Sequence, residues 1–326
     1  MVAIFPCLFA AILLTGPVHK TAAKPRADRS TAADKLVVPD PVAWQAALDR
    51  AGFSPGLIDG KLSRKTVIAL QAFQRFSGLA VTGRPDAATR SALGIDSTSS
   101  TTPYSITPAD EELVGPWPKT WFEKADAKFL GYNSLANLVA ERGHCSVDLL
   151  GRLNRKTNLA RLRAGDVLII PYTEPPDKLP QAAAIEIEFT DKVVYLLDKK
   201  QTVIGLFHCS IAKDKENRPA GSCKVKVVKD MPQYVFDPAK WPEVKDVNRK
   251  LLIPPGPRCP VGLCWVGLSL EGYGIHGTPE PEMIGKTGSH GCFRLTNWDA
   301  QRLGKMVRCG TPVRFVEKST VASAAK

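Results

Sequence analysis

Two of the chain's five histidines lie within 16 residues of a cysteine that follows a glycine. The segment reads Ile275-His276-Gly277-Thr278-Pro279, then Ser289-His290-Gly291-Cys292-Phe293-Arg294-Leu295. A free thiol, with a pKa of about 8.5, is only a few per cent thiolate at neutral pH. Nucleophilic use of Cys292 therefore needs a base, and histidine is the usual one. Gly291 lets the backbone bend so that amide N–H groups converge on one point, as a tetrahedral oxyanion requires. Two other chemistries fit the same residue types. Cys292 could be half of a disulfide, or His276, His290 and Cys292 could bind zinc with Cys259 or Cys264. The Cys259-x4-Cys264 spacing lacks a matching second short pair, which is poor zinc grammar. In an exported protein those two read more readily as a local disulfide. His144 and His208 read as core or surface residues.

The segment 183–318 must position this chemistry, and its pattern is mostly β. Ile185, Ile187 and Phe189 alternate with Glu186 and Glu188, the period of a half-buried strand. Further strands are predicted at 193–197, 202–211, 223–228, 291–295 and 313–316, with a hairpin-like turn at Asp198-Lys199-Lys200. One helix is predicted over 298–307, with Asn297 as N-cap and Gly310 just past its end. Several short strands with Gly/Pro turns predict a β-sandwich-like assembly. Two smaller units precede it. Residues 41–95 are helical, with Ala69, Leu70, Phe73 and Phe76 forming one apolar stripe. Residues 104–172 carry helical patterning at 132–142 and 147–153, then a turn into a strand at Gly165–Pro171. A Trp/Pro-rich insert (116–121) interrupts this second unit. The stretches 24–40, 97–103 (STSSTTP) and 173–180 (TEPPDKLP) read as tether and linkers.

The whole chain has 326 residues, with 25 glycines, 26 prolines, 44% hydrophobic and 23% charged residues, which excludes wholesale disorder. Val2 to Leu14 is almost wholly apolar, the length of a signal-peptide core and too short to span a bilayer. No Lys or Arg precedes it, although Thr21-Ala22-Ala23 is a plausible cleavage site. Residues 1–23 are thus expected to be a signal peptide, and the protein to be exported to the periplasm or cell wall. No apolar run reaches the length of a transmembrane helix. Removing Cys7 from the eight cysteines leaves an odd number, so one should be free. The net charge of +12 suits an anionic partner. No zinc-finger, helix-turn-helix or aromatic–basic motif supports nucleic acid as that partner.

The motifs resemble three families. Ile275-His276-Gly277-Thr278-Pro279, Ser289-His290-Gly291-Cys292-x-Arg294-Leu295, Asn297, Asp299-Ala300 and Gly310-Thr311-Pro312-Val313 look like the L,D-transpeptidase catalytic domain. Phe293 replaces the usual Ile or Val, and Cys223 follows the Pro219-Ala220-Gly221 turn. Gly52-Phe53, Leu57-Ile58-Asp59-Gly60, Phe73-Gln74, Val81-Thr82-Gly83, Asp86 and Thr89 resemble the peptidoglycan-binding domain, with Ser63 where that family has Gly. Leu149-Leu150, Leu153-Asn154, Ala164-Gly165 and Ile169-Ile170-Pro171 resemble the second half of a LysM module; a plain spacer domain is the other reading of 104–172. The catalytic resemblance implies Cys292 as nucleophile and His276 as its base. It implies an oxyanion hole from the amides of His290, Gly291 and Cys292. Ser289, His290 and Gly277 would shape the site, and Arg294 would meet a substrate carboxylate or support the loop. The implied substrate is a peptidoglycan tetrapeptide stem, cleaved after the L-centre of diaminopimelate. The thioester would pass to an acceptor amine, giving cross-links, or to water, giving L,D-carboxypeptidase activity. A non-catalytic wall-binding protein is a third possibility. No metal or organic cofactor is implied.

Overall fold

The computed structural model describes residues 40–96, 100–241, 243–289 and 291–320. The expected signal peptide, most of the tether, residues 97–99 of the first linker and His290 lie outside the described residues. Three helices come first: α1 (Asp40–Arg50), α2 (Arg64–Phe76) and α3 (Ala87–Ala92). Ala69, Leu70 and Phe73 of the α2 stripe are buried, while Phe76 at its end keeps 48% exposure and leans on the Phe53 ring. The polar part of the motif also has a structural use. Buried Gln74 donates to the Thr82 and Thr89 hydroxyls (3.0 and 2.9 Å) and accepts from the Gly83 N–H at 2.9 Å. Gly83 takes the left-handed conformation (φ 64°) that this turn requires.

The middle unit pairs β1 (Thr101–Ser105) with β2 (Val167–Pro171) in antiparallel register, Thr101 opposite Pro171 and Ser105 opposite Val167. Between them run α4 (Pro108–Glu112), α5 (Trp121–Asp126), α6 (Leu135–Arg142) and α7 (Val147–Leu153). Helices α6 and α7 bury Leu138, Val139, Leu149 and Leu150 against Leu168 and Ile170. Thr107, Thr120, Ser134 and Ser146 each cap a helix with a side-chain oxygen, an interaction typically worth about 1 kcal/mol.

The third unit contains β3 (Ala184–Glu188), β4 (Val193–Leu197), β5 (Val203–His208), β6 (Ser222–Asp230), β7 (Tyr234–Phe236), β8 (Leu251–Ile253), β9 (Cys264–Leu268), β10 (Gly274–His276), β11 (Phe293–Arg294), α8 (Asn297–Met306) and β12 (Pro312–Val316). Eight strands form one sheet in the order β11-β10-β9-β6-β12-β3-β4-β5, and β7-β8 is a separate hairpin. The expected β-sandwich is therefore a single curled sheet. Strand β6 pairs with β12 near its start and with β9 along its remainder, with a register shift between Val225 and Val227. Such an irregularity bends a strand and increases its twist. The second layer is helical instead of a second sheet. All five residues of β4 are buried. Val194 and Leu196 face the core that contains Leu303 and Met306 of α8, and Val193, Tyr195 and Leu197 face α1 and α2.

The units share main-chain bonds as well as cores. Ser54 N–H donates to Leu206 O (2.9 Å) and Leu206 N–H to Gly52 O (3.0 Å), so Gly52–Ser54 continues the sheet past β5. Ile58 N–H donates to His144 O (2.9 Å) and Ser146 N–H to Ile58 O (3.0 Å). Buried His208 donates from Nε2 to Lys65 O at 3.0 Å; burial and the Lys65 charge push its pKa down to about 3. Where all three units meet, Asp49 Oδ1 takes Arg302 Nη2 and His144 Nδ1, each at 3.0 Å. Beside this group Ser54 Oγ donates to Asp299 Oδ2 at 2.8 Å.

The seven described cysteines are all free thiols, so the expected Cys259–Cys264 bridge is not formed. Cys259 belongs to an aromatic cluster around Phe236, and its thiol points at Pro232 O. Cys264 lies in the main sheet core, against the place where α8 carries Gly304.

Candidate active site

Strand register brings the motif residues together. β10 and β11 are parallel, with Ile275 opposite Phe293 and His276 opposite Arg294. Ile275 and Phe293 are buried in the core, so their neighbours point the other way. Cys292 stands two residues before Arg294 and shares its face. Cys292, His276 and Arg294 all line one cleft of about 1130 Å³. Ser210 fixes the other side of β11, exchanging two main-chain bonds with Arg294 (2.9 and 3.0 Å). Ser289 N–H donates to Ile211 O (2.9 Å) and Lys213 N–H to Ser289 O (3.1 Å), which straps the preceding loop to the same segment.

The Cys292 thiol donates to Gly272 O at 3.5 Å. Burial pushes its pKa above the usual thiol value, against the Gly274 N–H and the charges of Arg294 and Lys240. His276 is 5% exposed and its ring stacks on Trp265, centroids 5.5 Å apart. Its Nδ1 lies 2.7 Å from Gly277 O. A carbonyl accepts only, so Nδ1 carries the proton and Nε2 keeps its lone pair. Burial lowers the His276 pKa to about 4; the Gly277 bond opposes this and Arg294 adds to it. At neutral pH the resting pair is thus thiol and neutral imidazole, an acid and a base that have not yet exchanged a proton.

Ser289 donates from Oγ to the Cys292 carbonyl and accepts the Gly291 N–H at 3.2 Å. The Gly291 amide is therefore held by Ser289 in this state. Gly277 has no room for a side chain, because a Cβ there would run into Asn297 Oδ1 and Leu263 N. Asn297 is the first residue of α8; Thr296 is the N-cap, its hydroxyl accepting the Asp299 N–H at 3.2 Å. Arg294 makes no ion pair among the described residues, and its side chain borders open cleft. Among the described residues no three His, Cys, Asp or Glu side chains gather as a metal site.

The sequence reading missed the far wall of the cleft. Tyr234, Lys240, Trp241 and Lys250 line it, with Trp265, Glu271 and Tyr273. Trp241 Nε1 donates to Tyr234 OH at 3.1 Å, and Lys250 pairs with Asp237 at 3.0 Å. Tyr234 lies in the three-residue strand β7, and Lys240, Trp241 and Lys250 in the loop from it to β8, a stretch with no periodic signal. Their only trace in the sequence is a cluster of aromatic and lysine side chains.

Comparison with known proteins gives the site its context. The family profile described as an L,D-transpeptidase catalytic domain matches residues 182–315, and that of a peptidoglycan binding domain matches 38–93. A Bacillus licheniformis protein, YkuD, an L,D-transpeptidase by name, is 30% identical over 160 residues, covering 49% of this chain and 80% of that one. YqjB of Bacillus subtilis, also named as an L,D-transpeptidase, is 32% identical over 133 residues, covering 39% of this chain and 67% of that one. A solved L,D-transpeptidase structure from Xylanimonas cellulosilytica covers 86% of this chain and 94% of that one at 15% identity, with a TM-score of 0.34. At that score the overlay adds nothing to the sequence match. A thiol and an imidazole set on one face of adjacent strands are what cysteine-dependent acyl transfer requires, and the chain belongs to the L,D-transpeptidase family.

Proposed function

We propose that Cys292 and His276 form the reacting pair of a peptidoglycan L,D-transpeptidase. The observation that carries this reading is the bond from His276 Nδ1 to Gly277 O, which leaves Nε2 unprotonated in a residue that lines the same cleft as Cys292. Cys292 Sγ attacks the carbonyl carbon of the donor stem, at the amide after the L-centre of diaminopimelate, while Nε2 takes the thiol proton. The tetrahedral oxyanion is met by main-chain amides that include those of Gly291 and Cys292; the Gly291 N–H must first exchange its Ser289 partner. Collapse breaks the C–N bond, and the imidazolium passes its proton to the departing D-alanine amine. The thioester is then attacked by an acceptor amine, which forms the new amide and returns the thiol proton. Arg294, Lys240 and Lys226 give the cleft a positive lining suited to a stem peptide rich in carboxylates.

The remaining units fit an envelope enzyme. The helical unit is read as a peptidoglycan anchor, and the β-α-α-β frame of the middle unit as a LysM-like module with α4 and α5 inserted. The net charge of +12 suits an anionic wall. The signal-like N-terminus is read as the export route to the periplasm or cell wall.

The test incubates full-length protein and Cys292→Ala with a diaminopimelate-containing tetrapeptide fragment, read by mass spectrometry. A cross-linked dimer is expected from the native protein and none from the variant. Tripeptide without dimer would reassign the reaction to carboxypeptidation. Full activity of Cys292→Ala would end the mechanism.

A further inference from the structure

Glu141 is a half-buried acid that the reaction described above does not use. Glu141 lies in the last turn of α6, in the middle unit. Its Oε1 accepts from Tyr132 OH at 2.9 Å, and Asn297 Nδ2 reaches both carboxylate oxygens, at 3.2 and 3.4 Å. Burial raises its pKa, opposed by those two donors and by the Arg258 and Arg142 charges.

Asn297 is fully buried, and each end of its amide is occupied. Nδ2 also donates to Pro257 O at 3.1 Å, while Oδ1 accepts the Leu263 N–H at 3.1 Å. Oδ1 occupies the space that a Cβ on Gly262 or on Gly277 would fill, so neither could carry one. The next group along is the Gly277 carbonyl, 2.7 Å from His276 Nδ1. Hydrogen bonds join Glu141 to Asn297 and His276 to Gly277, and close packing of Asn297 against Gly277 joins the two pairs. A carboxylate has no hydrogen to donate, so Glu141 tolerates only the orientation of Asn297 that turns Nδ2 outward and Oδ1 toward Gly277.

We propose that Glu141 is a positioning residue for His276: it fixes the Asn297 amide, which packs against Gly277 and so sets the residue whose carbonyl keeps the imidazole in its Nδ1–H form. The middle unit is then part of the acyl-transfer machinery and not a spacer. This inference rests on the reading of Cys292 and His276 as the reacting pair.

The experiment uses full-length protein with ¹⁵N-labelled histidine. Glu141→Met keeps the length and bulk of the side chain and removes the acceptor; Glu141→Gln keeps an acceptor. Expected for Glu141→Met is a kcat about tenfold lower with KM within about twofold, as small misplacements of a reacting group produce. Its His276 resonances should move from the Nδ1–H pattern toward a tautomer mixture. Glu141→Gln should recover kcat to within about threefold and restore the Nδ1–H pattern. A purely structural role would change thermal stability and leave the tautomer alone. A folded Glu141→Met with native kcat and an unchanged His276 pattern overturns the proposal, as does a Glu141→Gln as impaired as Glu141→Met. If Glu141→Met does not fold, Glu141→Asp, one methylene too short, takes its place under the same criteria. His276→Gln and Cys292→Ala run alongside. Turnover in those two removes the parent reading, whereas their inactivity beside a fully active Glu141→Met removes only the role of Glu141.

Discussion

Trp121 of the middle unit lies stacked on Phe236 of the catalytic hairpin, with ring centroids 3.8 Å apart. The insert that interrupts the second unit is thereby accounted for. It packs against the hairpin whose Tyr234 forms part of the cleft wall, and Trp241 packs on the same Phe236 ring. Trp121→Ala should cost about 2–4 kcal/mol of stability, in the range for loss of a packed aromatic ring. It should also raise KM for the donor peptide several-fold while kcat changes little. Thermal unfolding and steady-state kinetics check this; an unchanged KM would free the wall from the insert.

The pKa pattern of the dyad predicts the pH profile. His276 loses its basic form only as pH falls through about 4, in place of the usual histidine range. The acidic limb of kcat/KM is therefore expected near pH 4. Cys292 titrates above an ordinary thiol, so its reaction with iodoacetamide should keep accelerating through the usual thiol range. Arg294 lowers both groups. Arg294→Ala should move the acidic limb upward and slow alkylation at fixed pH. A limb that stays in place would show that the Arg294 charge does not act on His276.

Gly274 faces the ring of Trp265, and any Cβ there would overlap it. Trp265 in turn stacks on His276. Gly274→Ala should push the indole out of its place and lower kcat by about tenfold or more, since displacing a reacting group by about 1 Å is costly. Unaltered kcat in a folded Gly274→Ala would sever the link between the stack and catalysis.

The junction of the three units predicts a stability change with pH. Burial, with the nearby Asp49 charge, raises Asp299 from 3.8 to about 7. The folded state therefore holds this proton across a window in which the unfolded chain has released it, and stability falls as pH rises through that window. Asp299→Asn keeps an acceptor for Ser54 and removes the ionisation. Its Tm should exceed the native value by several degrees at pH 8 and match it near pH 4. Equal pH dependence in both proteins would exclude Asp299 as the source.

The chemistry was more legible in the sequence than its surroundings. Cys292 and Arg294 are two residues apart, so alternation alone puts them on one face, whereas His276 joins them through the parallel register of β10 and β11. Ala69, Leu70 and Phe73 announce their helix by periodicity. Strand β4 defeats the period-2 reading because it is covered on both faces, and nothing in a local window shows that the second cover is a pair of helices from the N-terminal unit. Asn297 looks like an N-cap by residue type, yet Thr296 holds that position and frees the Asn297 amide for Glu141, Pro257 and Leu263. Glu141 carries no local signal, since its partner Asn297 is 156 residues away.

The pairing of Gly52–Ser54 with β5 has a consequence for any attempt to treat the protein as beads on a string. A chain begun after residue 96 would present a bare strand edge and the apolar side chains of Val193, Tyr195, Leu197 and Leu206 to water. Such a fragment invites edge-to-edge self-association. The helical unit therefore covers both that edge and that face of the sheet. Loss of wall attachment in a truncated chain would report a misfolded enzyme as readily as a missing anchor, so point substitutions on the outer face of the helices are the cleaner way to separate the two.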